Sequence, residues 1–295
     1  MKKMLFVMNP FAGKRKANRY LADILSIFNR AGYTVTVHMT AGPGDGAVIT
    51  EQMAPEMDLI VCCGGDGTFN ETVHGILRSG ADVPIGYIPA GSTNDFATSL
   101  KLPTDVKKAA EAIAMGKPHR YDVGRFDNRH FSYVASFGLF TRSSYATPQN
   151  VKNVLGHAAY VFSGIQELTH IHTIPMRIEL EDEVIEDEFL FGAISNSTCV
   201  GGMLKLDPKR VDMQDGLFEL LLVRKPKGMV KMAEVFNAIQ HQKYDREEVT
   251  YREVTHLKAI STQPVIWTLD GERADVESAV EIQNLHRAIS LMQLD

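Results

Sequence analysis

The stretch that decides the fold is Leu59–Glu71, which reads LIVCCGGDGTFNE. Its first five residues are apolar, as in a parallel strand covered on both faces, and apolar residues at helical spacing follow the glycines. Glycines let backbone amides approach a ligand closely, and a helix N-terminus offers unpaired N–H groups to a phosphate. Asp66 would repel a phosphate unless a cation lies between them, which indicates a magnesium-nucleotide. The alternative is a tight turn with a helix-capping residue, but the strand–loop–helix context favours the nucleotide.

Two further loops follow other predicted strands of the same sheet. Asn9–Lys14 follows the strand Met4–Met8, and Lys14 is a candidate for contact with phosphate oxygens. Pro89–Phe96 follows the strand Ile85–Ile88 and carries small hydroxyl and amide side chains. Because the carboxyl ends of parallel strands meet at one edge of a sheet, the three loops predict a shared nucleotide cleft.

Two familiar nucleotide motifs are excluded as explanations. The chain has no Gly-x-x-x-x-Gly-Lys-Ser/Thr loop. Gly42–Ala47 nominally fits the dinucleotide fingerprint, but it follows the second strand rather than the first, and we interpret it as a flexible loop.

Strands and helices alternate up to about residue 116, after which strands dominate. In the first part the pattern predicts strands at Met4–Met8, Tyr33–His38, Leu59–Cys63 and Ile85–Ile88, and helices around Tyr20–Phe28, Phe69–Leu77 and Val106–Ile113. In the second part it predicts strands at His119–Phe126, Arg129–Phe137, Met176–Leu180, Phe189–Ser195, Leu217–Val223, Val249–Val254, His256–Ile260 and Val265–Leu269, and helices around Leu155–Leu168 and Met229–Ile239. We therefore expect a parallel α/β domain over 1–120 and an antiparallel sandwich or barrel over 121–279, with the tail 280–295 returning to the first domain.

Composition narrows the function classes. The 295 residues include 31 Lys and Arg against 36 Asp and Glu, a formal charge of −5, which disfavours a nucleic-acid binder that works by neutralising phosphates. Cys62, Cys63 and Cys199 have no zinc-site spacing, so we expect reduced cysteines. No apolar stretch is long enough to span a bilayer, and the first apolar run is too short for a signal peptide. We expect a cytoplasmic protein.

Four ordered motifs carry a resemblance to a known family. They are Asn-Pro-x-x-Gly from Asn9, Gly-Gly-Asp-Gly-Thr-x-Asn-Glu from Gly64, Pro-x-Gly-Ser-x-Asn-Asp-Phe from Pro89, and Asp-Gly-Glu from Asp270. In this order they resemble the diacylglycerol kinase catalytic-domain family, which is similar to sphingosine and ceramide kinases. The resemblance implies an α/β domain like that of NAD kinase and phosphofructokinase, a β-sandwich, and a lipid kinase that uses ATP and Mg²⁺.

The resemblance also implies site residues. Those matching the nucleotide loops and the end of the second strand are Asn9, Gly13, Thr40, Gly65, Asp66, Gly67, Thr68, Asn70, Glu71 and Ser92. Gly64, Asn94 and Asp95 lie in the same loops and are further candidates, whereas Thr98 stands where many relatives carry Arg. Asp212, Asp215 and Leu217 match a structural magnesium site, with backbone carbonyls of Asp212 and Leu217 as ligands.

The Asp270–Glu272 segment matches the part of the family that activates the substrate hydroxyl. Phosphoryl transfer needs a base near the attacking oxygen, and either Glu272 or Asp270 is a candidate. The alternative is an ordinary hairpin turn, for which Asp-Gly is a common pair. The three upstream loops favour the catalytic interpretation.

Contact with a membrane surface is a weaker expectation. The cluster Arg224–Lys231 places basic residues beside Met229 and Val230, and the helix Leu155–Leu168 is a candidate wall for a lipid groove. Their alternatives are a solvated loop and a core-facing helix. We expect a lipid substrate reached by transient peripheral contact and no nucleic-acid partner; the sequence leaves open whether a homodimer forms.

Two other functions compete with a lipid kinase. NAD kinases share a Gly-Gly-Asp-Gly loop, but their second motif resembles Gly-Ser-Thr-Ala-Tyr, whereas Asn94 and Asp95 follow Gly-Ser-Thr here. A non-catalytic nucleotide or lipid sensor would not need the carboxylates of Asp66, Asp270 and Glu272.

Overall fold

The computed structural model describes residues 1–15, 17–139, 173–200 and 204–294. The helix predicted over Leu155–Leu168 lies outside these residues.

The first part of the chain is a parallel sheet with helices on both faces. Its strands are β1 (Lys2–Met8), β2 (Tyr33–Met39), β3 (Leu59–Gly64) and β4 (Ile85–Pro89). Its helices are α1 (Leu21–Arg30), α2 (Asp45–Met53), α3 (Asp66–Ser79), α4 (Asp95–Ser99) and α5 (Val106–Met115). Side chains of β1 alternate between two buried clusters, since Leu5 and Val7 join the cluster containing α3 whereas Met4 and Phe6 join the one containing α1 and α5. Burial on both faces explains why these strands are apolar throughout.

The second part consists mainly of antiparallel strands. They are β5 (Lys117–Phe126), β6 (Arg129–Phe131), β7 (Val134–Gly138), β8 (Ile174–Glu179), β9 (Val184–Ser195), β10 (Cys199–Val200), β11 (Leu204–Lys205), β12 (Phe218–Arg224), β13 (Val249–Val254), β14 (His256–Ile260), β15 (Val265–Leu269), β16 (Glu272–Val276) and β17 (Ala279–Gln293). The helix α6 (Met229–Gln240) confirms the helix predicted around Met229–Ile239. A separate core, which includes Phe137 and the single tryptophan Trp267, fills this part.

Strand pairing joins the two parts. Within the described residues, one hydrogen-bonded path runs β16-β15-β7-β9-β8-β14-β17-β4-β3-β1-β2. The long strand β17 is antiparallel to β5 and β14, and near its end Leu291 pairs in parallel with Ile85 of β4. The C-terminal strand thereby connects the antiparallel part to the edge of the parallel sheet. The boundary near residue 120 stays a prediction.

Two local predictions were wrong. Arg129–Phe137 is not one strand, because the N–H groups of Ser132 and Tyr133 donate to the carboxylate of Asp270 instead of to a neighbouring strand. Gly42–Ala47 is not a loop throughout: Gly44, with φ +84°, directly precedes α2, whose first turn includes Asp45 and Gly46. Both errors arise from side-chain hydrogen bonds that sequence periodicity does not reveal.

Candidate active site

The predicted nucleotide loops lie side by side at the carboxyl edge of the parallel sheet. The N–H of Ala90, after β4, donates to the carbonyl of Gly64 at 2.7 Å, and the N–H of Asn9, after β1, donates to the carbonyl of Cys63 at 2.9 Å. The side-chain amide of Asn9 also lies 3.5 Å from the hydroxyl of Thr68. Three loops that are distant in sequence thus share backbone hydrogen bonds.

Glycine is required where these loops touch. A Cβ added to Gly13, which has φ +49°, would lie 1.8 Å from the carbonyl oxygen of Ala90. A Cβ added to Gly91 would lie 2.5 Å from the Cα of Gly65. Carbon atoms pack at about 3.5–4.0 Å, so a side chain at either position would push the loops apart. The glycines therefore serve loop–loop packing as well as leaving room for a ligand.

The Asp66 carboxylate, at the start of α3, lies against the first turn of α4, which begins with Asp95. Asp66 accepts hydrogen bonds from the N–H groups of Asp95 at 3.2 Å and Phe96 at 3.4 Å, which holds the start of α4 against α3. Burial raises the pKa of Asp66, and burial together with the charge of Asp66 raises the pKa of Asp95 to about 6. Paired carboxylate oxygens are the ligands that Mg²⁺ prefers, and a cation would relieve their repulsion. This pair therefore fits a metal that accompanies a nucleotide.

Asn70 and Asp270 link the α/β part to the antiparallel part. The amide of Asn70, on α3, donates to the Asp270 carboxylate at 2.7 Å. The other donors to that carboxylate are the backbone N–H groups of Ser132, Tyr133 and Val134, at 2.6, 3.0 and 3.0 Å. With both oxygens engaged, Asp270 is placed to hold the two parts together.

The turn that carries Asp270 is a tight hairpin between β15 and β16. Asp270 and Gly271 have φ values of +50° and +86°, as a two-residue type I′ turn requires. Burial raises the pKa of Asp270 to about 6, against the opposing effect of its hydrogen bonds. The Asp-Gly pair therefore forms a hairpin turn and also belongs to the cleft. The two interpretations offered by the sequence are compatible.

Glu272 extends from this hairpin toward the nucleotide loops. One carboxylate oxygen lies 3.2 Å from the point that a Cβ on Gly67 would occupy, beside the first turn of α3. The side chain is 54% exposed, and Arg129 approaches it at 3.7 Å. Partial burial and the charge of Glu71 raise its pKa, whereas Arg129 lowers it. A half-exposed carboxylate with a raised pKa, opposite the glycine loop, has the properties of a general base.

Glu71 has a different environment from the one expected of a nucleotide contact. Its two oxygens accept hydrogen bonds from the N–H groups of Gly44 at 2.7 Å and Gly46 at 2.9 Å. These bonds fix the N-terminus of α2 against α3. Both oxygens of Glu71 are thus already used by the protein.

The remaining nucleotide candidates lie at the loop margins. The N–H of Thr40 donates to the carbonyl of Met8 at 2.8 Å, and Thr40 is buried. Ser92 is exposed, and Asn94, with φ +53°, accepts from the N–H of Gly91 at 2.9 Å. The side chain of Lys14 lies outside what the structure describes. The roles of these residues toward a nucleotide stay predictions.

A pair of histidines beside Asn70 was missed by sequence reasoning. Nδ1 of His74, on α3, lies 2.8 Å from Nδ1 of His130, on β6, so one ring donates to the other. The carbonyl of His130 also accepts from the Asn70 amide at 3.2 Å. Burial lowers the pKa of both, that of His130 to about 4, so the pair is uncharged at neutral pH. Nothing in the spacing of two isolated histidines pointed to this contact.

The segment matched to a structural magnesium site forms a tight loop. Asp212 and Asp215 accept hydrogen bonds from the N–H groups of Gln214 and Leu217, respectively. Burial, together with the charges of Asp212 and Asp122, raises the pKa of Asp215. Among the described residues, no three His, Cys, Asp or Glu side chains are close enough together to hold a metal. The magnesium assignment to Asp212, Asp215 and Leu217 stays a prediction.

Sequence reasoning also missed Asp122, which organises the same loop. Fully buried on β5, it accepts from the N–H groups of Gly216 at 2.7 Å and Arg287 at 2.6 Å, and His286 lies 3.2 Å away. Its place inside a predicted strand gave no signal of this role.

The basic cluster Arg224–Lys231 is partly neutralised. Arg224 pairs with Asp187, and Lys231 lies 3.6 Å from Glu248. Val230 is 77% exposed at the start of α6.

Comparison with known proteins agrees with the fold. The sequence profile of the diacylglycerol kinase catalytic domain matches residues 3–126, and that of the YegS C-terminal NAD kinase beta sandwich-like domain matches residues 134–292. A diacylglycerol kinase of Bacillus subtilis (strain 168) is 30% identical over 294 residues, covering 99% of this chain and 96% of its own. One from Staphylococcus haemolyticus is 31% identical over 268 residues, covering 90% of this chain and 81% of its own.

Solved structures show the same architecture. The crystal structure of a diacylglycerol kinase from Bacillus anthracis Sterne matches with a TM-score of 0.75 at 20% identity, covering 99% of this chain and 97% of its own. A second structure from that strain matches with a TM-score of 0.83 at 23% identity, covering 99% of this chain and 95% of its own. The predicted fold class, a parallel α/β domain followed by a β-sandwich, is confirmed. None of the helices in the described residues is long and apolar enough to cross a bilayer.

Proposed function

This chain belongs to the diacylglycerol kinase family, and from that premise we propose that it transfers the γ-phosphoryl group of ATP to the hydroxyl of diacylglycerol or a similar lipid. The observation that carries the proposal is the position of Glu272. Its carboxylate extends from the β15–β16 hairpin to Gly67, at the start of the glycine-loop helix. A base in one part of the chain thus faces the nucleotide loops in the other.

The chemistry requires one proton transfer and one displacement. The lipid hydroxyl oxygen forms a bond to the γ-phosphorus, while the bond from that phosphorus to the β–γ bridging oxygen breaks and its electron pair leaves with ADP. The hydroxyl proton passes to the Glu272 carboxylate. Asp270 is the weaker candidate for this role, because four N–H donors already occupy its oxygens.

The protein binds the nucleotide and its metal through backbone N–H groups and side-chain carboxylates. The N-terminus of α3 and the glycine loop offer N–H groups to phosphate oxygens. Asp66 and Asp95 are the residues we assign to Mg²⁺, which when bound would neutralise charge on the phosphoryl oxygens.

The lipid is taken from a membrane surface by transient peripheral contact. The exposed Val230 and the neighbouring Lys227 combine an apolar side chain with a basic one at the start of α6. A basic residue near an anionic surface contributes about 1 kcal/mol, so such contact would be weak and reversible.

Label transfer tests the proposal. The purified chain is incubated with γ-labelled ATP, Mg²⁺ and phosphatidylcholine vesicles that contain diacylglycerol, with parallel reactions that contain NAD instead. We expect label in the organic phase with diacylglycerol, and at least about 100-fold slower labelling when Glu272→Gln replaces the wild type. Label that enters only NAD, or no transfer at all, would reject the lipid kinase.

A further inference from the structure

The segment between β6 and β7 holds one tyrosine in a fixed position at the cleft. The N–H of Tyr133 donates to Asp270 at 3.0 Å, and its carbonyl accepts from the N–H of Asn196 at 2.8 Å and the hydroxyl of Ser195 at 3.3 Å. Because both peptide groups are tied to different strands or turns, the Cα–Cβ direction is fixed by the fold.

The ring of Tyr133 is buried, but its hydroxyl is not used by the protein's own structure. The residue is 5% exposed and belongs to the same apolar cluster as Phe96 and Phe191, one from each part of the chain. None of the described residues forms a hydrogen bond with its hydroxyl, whereas that of Tyr121 donates to Gln293 at 2.8 Å. The hydroxyl oxygen itself is not fully buried, so it is available as a donor to a ligand.

Hydrogen bonds and packing locate Tyr133 between the hairpin and the nucleotide loops. Its N–H and the Asn70 amide of α3 donate to the same Asp270 carboxylate, and it shares an apolar cluster with Phe96, whose N–H donates to Asp66. Burial, together with the charges of Asp270, Asp66 and Asp95, raises the pKa of Tyr133 well above its ordinary value, so the phenol stays protonated at any working pH. It can therefore serve as a hydrogen-bond donor and not as a base.

We propose that Tyr133 is a catalytic residue whose hydroxyl donates a hydrogen bond to the γ-phosphoryl group during its transfer; this rests on the lipid kinase function proposed above. Charge spreads over the phosphoryl oxygens in the transition state, and a fixed donor in a site shielded from water stabilises it. Glu272 receives the acceptor's proton on the other side of the same group. The two residues thus have separate roles.

The test is Tyr133→Phe, which removes the hydroxyl and keeps the ring. We expect kcat for lipid phosphorylation to fall about 10- to 100-fold, while KM for ATP stays within about threefold. The slow hydrolysis of ATP by water, measured without lipid, should fall by a similar factor, because the same phosphoryl group is transferred. The pH profile should keep its shape, since Tyr133 does not titrate in the working range.

Tyr251→Phe is the matched control. The hydroxyl of Tyr251 is buried without a partner, and the residue lies on β13, where its ring stacks on that of Tyr244 at 4.7 Å. Its kcat should equal that of the wild type, and thermal melts should show both variants folded.

Three outcomes would overturn the inference. They are a kcat of Tyr133→Phe equal to that of the wild type, a loss of lipid transfer with ATP hydrolysis unchanged, and a loss of activity that follows a lowered melting temperature. Failure of the wild type to label any lipid would instead reject the proposed function.

Discussion

Replacing Gly91 by alanine should separate the loops that form the nucleotide cleft. The new Cβ would lie 2.5 Å from the Cα of Gly65 and 2.7 Å from the side-chain oxygen of Asn94. Since carbon atoms pack at about 3.5–4.0 Å, one loop must retreat by about 1 Å. Gly65 directly precedes Asp66 and α3, so the retreat displaces the phosphate-binding turn itself.

A displacement of that size has a large kinetic effect. Misplacing a reacting group by about 1 Å can reduce a rate about 100-fold, and overpacking costs about 1–3 kcal/mol of stability. We expect kcat/KM for ATP to fall by about that factor, measured by initial rates of lipid phosphorylation over a range of ATP concentrations. Equilibrium binding of ATP should weaken as well.

Two glycines provide controls for this substitution. Gly42 has nothing within 4 Å of an added Cβ and no positive φ, so Gly42→Ala should change neither activity nor stability. Gly86 lies inside β4, where the Cβ would meet Ile113 at 2.6 Å, so Gly86→Ala should lower the melting temperature and leave KM for ATP nearly unchanged. A Gly91→Ala enzyme with wild-type kcat/KM for ATP would refute the close packing of these loops.

Four further predictions concern residues of the cleft. Glu272→Gln should lower kcat about 100- to 10,000-fold with unchanged ATP affinity by calorimetry, as expected when a general base is lost. Because its pKa is raised, kcat of the wild type should fall as pH drops at values above the ordinary 4.5, and Arg129→Gln should move that fall to still higher pH in a pH–rate profile. Asp95→Asn should raise the Mg²⁺ concentration for half-maximal rate about tenfold or more, because one of two paired oxygen ligands becomes neutral; an unchanged Mg²⁺ dependence would contradict the assigned metal contact. Asn70→Ala removes one charge-assisted hydrogen bond to Asp270 and should cost about 1.5–3 kcal/mol in urea unfolding followed by Trp267 fluorescence; a stability equal to wild type would contradict that link.

Local chemistry made the parallel sheet and its loops predictable. The strand predicted at Leu59–Cys63 is a continuous apolar run, and the glycines that follow it indicated the turn from β3 into α3. The Asp-Gly pair at 270–271 likewise predicted a tight turn, which its two positive φ values confirm.

Contacts between distant residues were not predictable. Asn70 and Asp270 are separated by 200 positions, and no spacing rule joins an amide on a helix to a carboxylate in a hairpin. The same holds for Glu71, whose bonds to Gly44 and Gly46 depend on how α2 packs on α3. Asp122 lies inside a strand, and nothing in the sequence indicated that it organises a loop about 90 residues further along the chain. At such a separation, only the fold determines which residues come into contact.

The most direct test of the account is a crystal structure with Mg²⁺ and a non-hydrolysable ATP analogue. We predict that the triphosphate lies on the glycine loop after β3, with its terminal phosphoryl group between Gly67 and the Glu272 carboxylate. A nucleotide bound elsewhere, or a terminal phosphoryl group out of reach of Glu272, would contradict it.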